Sequence, residues 1–488
     1  MIIATHIPAL QILIPLFAAL FAALTYNRFA AWMIATISAA LGFALSIYAM
    51  PFAHEGMSYA FGGWNAPIGI EYRLDSLSQP IIVFINAILL LFLAFGRELI
   101  DSSITEYIEK KHQHLFYAIL LFAHFGYLGV ISTNDLFNIY VFIEISSLAT
   151  YVLMSKGRTP RALVGAFDYL ILGTIGATLI LISIGFFLAM TGSLNITDVA
   201  NILSKKAASP LITIAILFFL TGAILKMAFF PMHFWMRRAY SSAAPFMLTY
   251  LATISSIFGV YLILRFVHFT VEQQNIQEML SQILRPIAIG TIIICTLLAL
   301  KARNFKDIVV YSTAAQIGYI FMLITIEPAK HLLFQFLILD ALSKVALFTI
   351  IAHIQNKSDS LNLESFASIE GAGFFKFLVA LALMFSAGLP MASTFIVKIQ
   401  IFDLLARNHM ILEFVTVILG SVFALHYHFK LAKAVFFGSK SKHTIQIKTK
   451  SYGLAFIVLI QILTIIYIHD LASFALNTES FIQKIATI

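Results

Sequence analysis

Apolar runs of the length that crosses a bilayer recur along nearly the whole chain, and that recurrence limits the fold more than any motif does. A spanning helix needs roughly 20 mostly apolar residues, with a range of about 17–25. Fourteen stretches qualify, near 7–25, 30–50, 75–95, 115–132, 135–155, 163–190, 211–231, 243–265, 286–302, 307–326, 331–353, 375–402, 410–437 and 451–470. Of 488 residues, 60% are hydrophobic and 11% charged, where a soluble domain carries roughly 25% charged residues. The expected fold is therefore an all-α polytopic membrane protein of about 14 transmembrane helices, with its length used up by spans embedded in lipid. The net charge of +8 does not point to nucleic acid, because the basic residues fall in the short connections between spans. The single cysteine, Cys295, sits in an apolar run, which leaves neither a disulfide framework nor a Cys-rich metal or Fe–S site. The opening "MIIATHIPALQILIPLF" has no basic n-region and no small-residue cleavage site, so it reads as a retained first span.

Orientation follows from where the 31 lysines and arginines fall. Twenty lie in connections on one side, including Arg97, Lys110, Lys111, Arg237, Arg238, Lys306 and the run Lys430–Lys450; eight lie on the other side, and three are inside spans. Cytoplasmic connections carry the excess of Lys and Arg. With an even number of spans, both termini are then expected on the non-cytoplasmic side of a cell (inner) membrane.

The three lysines inside spans, Lys226, Lys344 and Lys398, are the first functional signal. An ionised side chain at a helix centre costs roughly 2.5–3.5 kcal/mol on insertion scales. Glu144, Asp340 and Asp168 add intramembrane acids. Asp340 precedes Lys344 by four residues, the spacing of a simple intrahelical pair. Asp168 is near the cytoplasmic end of its span, within reach of Arg161 or Arg158. Glu144 has no partner one turn away on its own helix, and Lys226 is the first candidate partner. Snorkelling explains Lys226 poorly, because Phe229 and Phe230 separate it from the end of its run.

In "ILKMAFFPMHFW" Pro231 follows Lys226 by five residues, and "LMFSAGLPMASTFIVKIQIF" combines Gly388, Pro390, Ser393 and Lys398. A proline frees backbone groups that inside a membrane are tolerated only where protein or a water-filled cavity satisfies them. Two interrupted spans five apart point to inverted repeats around an ion pathway. The expected repeats cover spans four to eight (residues 111–268) and nine to thirteen (269–440), with broken spans 7 and 12. Spans one to three occupy 1–110, and 441–488 holds the last span. His124, His233 and His331 lie in or at the ends of spans; such histidines are commonly packing residues, but their titration range also suits proton relay. No metal site and no flavin, nicotinamide or quinone motif is visible, so no cofactor is expected; "GAGFF" at Gly371 follows no strand and is not a dinucleotide loop.

"DLFNIYVFIEISSLATYVL", "LKMAFFPMHFWMRRAY", "TGSLNITDVA", "VVYSTAAQIGYI" and "ALSKVALF" resemble the antiporter-like membrane subunits. That family comprises Mrp-type cation/proton antiporter subunits and the proton-pumping membrane subunits of respiratory complex I (NADH-quinone oxidoreductase) and membrane-bound hydrogenases. Length, span count and the "TGSLN" turn are most similar to the D-type members among the Mrp antiporter subunits. The resemblance implies fourteen helices with two inverted five-helix repeats. It also implies functional roles for Glu144, Lys226, Lys344 and Lys398, with Asp340 beside them where the family has a histidine. Asp168 stands where the family has a lysine, and Ile257 in "SSIFGVYLILR" stands where a bridging lysine is usual, leaving Ser255 and Ser256 as nearby candidate relays. The implied function is proton and Na⁺ or K⁺ translocation within a multi-subunit complex, with other membrane subunits and the lipid bilayer as partners. The alternatives are a pump subunit of an NADH-quinone oxidoreductase-like or hydrogenase-like translocase, and a non-conducting scaffold or energy-coupling partner of a solute-uptake protein.

Overall fold

The computed structural model describes residues 2–53, 56–157, 159–206, 209–270, 274–326, 329–355, 361–363, 369–370, 373–437, 445–446 and 452–467. Its helices are α1 (Ile2–Leu24), α2 (Arg28–Ala53), α3 (Ser78–Phe95), α4 (Arg97–Tyr107), α5 (Gln113–Ser132), α6 (Leu136–Met154), α7 (Arg161–Thr191), α8 (Ile196–Ser204) and α9 (Pro210–Lys226). They continue with α10 (Phe234–Ser242), α11 (Pro245–Thr270), α12 (Gln274–Lys301), α13 (Phe305–Ile324), α14 (Lys330–Gln355), α15 (Gly373–Ala387), α16 (Ser393–Arg407), α17 (Ile411–Phe437) and α18 (Tyr452–Ile466). Among the described residues, eleven helices are long and apolar enough to cross a membrane, and three shorter apolar ones, Pro210–Lys226, Gly373–Ala387 and Tyr452–Ile466, complete the fourteen expected spans. Arg158, Lys357, Lys440, Lys442, Lys448, Lys450 and Lys484 lie outside the described residues.

Polar residues start the helices where the apolar runs begin. Asp135 accepts from the backbone N–H of Asn138 at 2.7 Å to open α6, Asn195 opens α8, and Ser209 with Pro210 in the first turn opens α9. Each satisfies an amide that the helix leaves free. The packing repeats along the chain. In the first half α5 packs on α6, α6 on α7, and α7 along α9; in the second, α12 packs on α13, α13 on α14, and α14 against α15 and α16. Five is odd, so corresponding helices of the two sets cross the membrane in opposite directions.

Three features depart from the sequence expectation. Two short helices, α4 and α8, lie between spans. The connection holding Arg237 and Arg238 is helical, forming α10. A two-stranded antiparallel hairpin, β1 (Met57–Ala60) with β2 (Glu71–Leu74), pairs Met57 with Leu74. Its residues alternate between partly buried and buried along β2, a period-2 pattern too short to stand out between two long apolar runs.

The hairpin is strapped to helix ends that the alternation places on one face. Asp75, just before α3, forms an ion pair at 2.5 Å with Arg265 near the end of α11. Arg265 also donates to Asn134, and Glu71 accepts from Asn134 at 2.9 Å and Asn195 at 3.1 Å. Burial alone would raise both carboxyls. The Arg265 guanidinium and the Ser78 amide and hydroxyl nevertheless hold Asp75 below its ordinary value, and Asn134, Ser58 and Asn195 do the same for Glu71. Groups depressed in this way stabilise the fold above their unfolded pKa, and the contribution is lost as pH falls through the lower folded value. Asp75→Asn is therefore expected to lower the melting point of the solubilised protein at neutral pH, by part of the roughly 3–5 kcal/mol that breaking a fully buried pair carries, since this pair is partly exposed. The gap to wild type should close as pH drops below about 4. Parallel melting curves for the two proteins across that range would remove the strap.

Candidate functional site

Both interrupted spans are satisfied by protein, as burial in a membrane requires. In the first, α9 ends at Lys226 and α10 begins at Phe234. The Phe230 amide donates to the Thr291 hydroxyl of α12 at 3.2 Å, and the Trp235 indole donates to the Leu225 carbonyl at 2.9 Å. In the second, Thr394 donates to the Phe385 carbonyl, and the Leu389 amide donates to that of Met384 at 3.2 Å. Ala228 (φ 58°) and Met391 (φ 78°) take left-handed backbone within the two breaks, a conformation that costs a residue with a Cβ roughly 1–2 kcal/mol.

In sequence Lys226 precedes its break and Lys398 follows its own. In space both belong to the C-terminal end of the first half-helix. Lys226 is the last residue of α9. Lys398 folds back to donate to the carbonyl of Ala387, the last residue of α15, at 3.3 Å. A helix C-terminus carries a partial negative charge that favours a cation.

Lys226 donates to the Ser147 hydroxyl of α6 at 2.8 Å and to the Gly173 carbonyl of α7 at 3.3 Å. Among the described residues no ion pair joins it to Glu144. The reason is helical phase: Glu144 shares the outward stripe of α6 with Phe137, Leu148 and Val152, whereas Ser147 points inward. Glu144 is half-buried, one turn from Ser147, and acts on Lys226 only at longer range.

Lys344, 2% exposed, has the expected partner: Asp340 lies 2.5 Å away. It also donates to the Ser256 hydroxyl of α11 at 3.0 Å, so one of the two hydroxyls beside Ile257 touches the central lysine directly. The other, Ser255, bonds the Tyr240 hydroxyl of α10 at 3.1 Å, and Ile257 is fully buried. Between Ser147 and Ser255 lies an aromatic cluster that no sequence motif announces. Tyr151 meets Tyr169 at 4.6 Å, Tyr169 stacks on Trp235 at 4.3 Å, and Trp235 meets Tyr240 at 6.2 Å. Asp340 and Lys344 open with Lys398 onto a polar cavity also lined by Ser343, Ser386, Thr394 and His428. It has about 20 Å³ of water-accessible space, and one water takes about 10–15 Å³.

The other sequence candidates sit apart from this line. His124 is fully hydrogen-bonded, to Tyr250 of α11 and Asn86 of α3, each at 2.8 Å, which makes it a clasp between helices. His233 is half-buried beside the Phe230 ring in the first break. Asp168 pairs at 3.2 Å with Arg238, not with Arg161; α10 is a helix that turns Arg238 onto α7. Lys306, counted among the connection charges, is 2% exposed and donates to the Ala243 carbonyl. Beside it Asp307 holds Arg237 at 2.9 Å. Cys295 is free and buried, as expected.

Fold and buried charges together define a multi-pass membrane protein with ionisable groups strung through its interior. The NADH:quinone oxidoreductase/Mrp antiporter transmembrane family matches residues 133–424, and the chain belongs to it. It is 34% identical over 320 residues to NADH-quinone oxidoreductase subunit N of Desulforudis audaxviator, an alignment covering 64% of this chain and 63% of that relative. To the antiporter-type subunit mnhD2 of Staphylococcus aureus it is 27% identical over 461 residues, 93% of this chain and 89% of the relative. Among solved structures it superimposes on a chain of the archaeal membrane-bound sulfane sulfur reductase (TM-score 0.87, 21% identity, 98% of each chain). A chain of the Mrp complex from a Dietzia species gives a TM-score of 0.85 at 17% identity over 99% of each chain. A chain of respiratory complex I from Thermus thermophilus gives 0.79 at 17% identity over 96% of this chain and 98% of that one.

Proposed function

We propose that this chain is the proton- and cation-translocating membrane subunit of a multi-subunit Mrp-type Na⁺(K⁺)/H⁺ antiporter. The observation that carries the reading is three lysines inside the helix bundle, Lys344 and Lys398 buried and Lys226 partly so, two of them at helix breaks, each bonded to a hydroxyl, a carboxylate or an open backbone carbonyl. In a low dielectric a carboxylate nearby favours the charged amine, and its withdrawal favours the neutral one. A change in the distance between Glu144 and Lys226 would thus release or recapture a proton at Lys226. The Ser147 hydroxyl, the tyrosine cluster, and Ser255 and Ser256 offer the stepping groups toward Lys344, Asp340 and Lys398. A titratable carboxylate on an outward stripe is expensive against lipid, so the Glu144 edge of α6 is the face we assign to a neighbouring membrane subunit. The excess of Lys and Arg in one set of connections supports an orientation with both termini outside the cytoplasm. A redox-driven pump is the second reading, supported by the 34% identity to a quinone oxidoreductase subunit.

Glu144→Gln tests the electrostatic role, since it removes the charge and keeps the size. In vesicles containing the whole complex, ion-coupled proton flux should fall at least about tenfold and its pH optimum should move. The double variant with Lys226→Gln should lose less than the sum of the two single losses, because coupled residues are not additive. An unchanged pH profile in Glu144→Gln would show that the carboxylate only packs.

A further inference from the structure

The cavity that joins Asp340, Lys344 and Lys398 has a fourth titratable wall, the imidazole of His428 on α17. Nothing in "ALHYHFKLAKAV" distinguishes this histidine from its neighbour His426. The structure does: His426 is exposed, whereas His428 is 4% exposed. Its Nδ1 lies 2.8 Å from the Ala424 carbonyl, one turn back on the same helix. A carbonyl only accepts, so Nδ1 carries the proton in the neutral ring. Nε2 is therefore the bare acceptor, and among the described residues it is buried with no hydrogen-bond partner. A buried polar atom left open is rare enough to require a reason. Here it belongs to a ring that lines a polar cavity with room for about one water.

Resting on the translocation reading, we infer that His428 is a proton relay for Lys398, working through one water in this cavity. The Lys398 ammonium gives a proton to the water, and the water passes one of its own protons to Nε2. The products are a neutral amine and an imidazolium with both nitrogens protonated. The Ala424 carbonyl holds the ring in the tautomer that accepts, so each cycle starts from the same state. Every other titratable group facing this ring is accounted for. Asp340 and Lys344 pair with each other across α14, and the Tyr319 ring of α13 lies under the Lys398 ammonium at 5.6 Å. Tyr427 packs against the imidazole at 4.6 Å, and Cys295 of α12 is a buried thiol. His428 stands nine residues before the end of α17 at Phe437, and Lys430, two residues on, holds the carbonyls of Leu300 and Ala302 where α12 ends. The relay thus gives Lys398 a route toward the face that bears the Lys- and Arg-rich connections.

The test compares wild type, Lys398→Ala, His428→Gln and His428→Ala in vesicles holding the complete complex, with proton flux read by a pH dye. His428→Gln keeps the polar character but cannot hold a proton. It should lower flux at least about tenfold and change the shape of the pH profile. His428→Ala should lose flux likewise and regain part of it when imidazole is added, which a merely structural role would not allow. If His428→Gln fails to assemble, the imidazole response of His428→Ala decides. Wild-type flux and pH profile in His428→Gln, or His428→Ala unmoved by imidazole, would overturn the relay while an inactive Lys398→Ala keeps the translocation reading. Absence of flux in wild type would remove both.

Discussion

Replacing Lys226 by alanine should abolish ion-coupled proton exchange while the subunit still assembles. The ammonium sits partly buried at the end of a half-helix and, among the described residues, bonds Ser147 and the Gly173 carbonyl, so it adds little that holds helices together. Its insertion costs roughly 2.5–3.5 kcal/mol, and alanine removes that cost along with two hydrogen bonds. Stability is therefore expected to change little. Flux should fall by at least about a hundredfold, the lower end of what a positioned proton-transfer group contributes. The two readouts are pH-dye flux in vesicles and the amount of complex recovered. Normal exchange in the variant would leave Lys226 a structural residue and would remove the centre of the proposed pathway.

The Asp340–Lys344 pair should behave in the opposite way. Both groups are almost fully buried and 2.5 Å apart. Removing one partner strands the other charge, which costs about 3–5 kcal/mol, whereas replacing both by apolar groups of similar volume is often neutral or stabilising. Asp340→Leu alone is thus expected to cause severe loss of assembled protein. Asp340→Leu with Lys344→Met should restore assembly and leave flux near zero. Separation of folding from conduction in this way identifies a pair retained for transport. A double variant that remains as poorly assembled as the single one would assign the pair to the architecture of α14 and α11.

How much of this could be read beforehand depends on how locally each feature is encoded. Spans are legible because twenty apolar residues in a row exclude other solutions. Lys226, Lys344 and Lys398 are legible because an ammonium is out of place in such a run. Asp340 is legible from its four-residue spacing to Lys344. The partner of Lys226 is not, because α6 is apolar on nearly every side and the sequence does not show that Glu144 faces outward while Ser147 faces in. Lys306 misleads for a related reason: it follows a span boundary, where lysines are usually solvated, yet α10 folds over it. The aromatic cluster draws Tyr151 from α6, Tyr169 from α7 and Trp235 and Tyr240 from α10, and leaves no periodic trace. His428 is invisible because its distinguishing property is an empty lone pair, which exists only once the cavity does.

Where α7 meets α9 beside Lys226, the contact is glycine on glycine. A methyl group at Gly222 would collide with the Gly176 carbonyl, and one at Gly176 would stand 2.9 Å from that of Gly222. Ordinary helix pairs mesh ridges into grooves, so one cannot travel along the other without unlocking its side chains. Here backbone meets backbone, with the Ile180 side chain of α7 seated over Gly222 and the Lys226 stem of α9 over Gly176. That close approach of two backbones is what puts the Gly173 carbonyl of α7 within 3.3 Å of the Lys226 ammonium at the end of α9. Helix spacing along the seam thus becomes a transport property: a single alanine at Gly222 would wedge α9 away from α7 and is expected to slow turnover without touching any group that carries a proton.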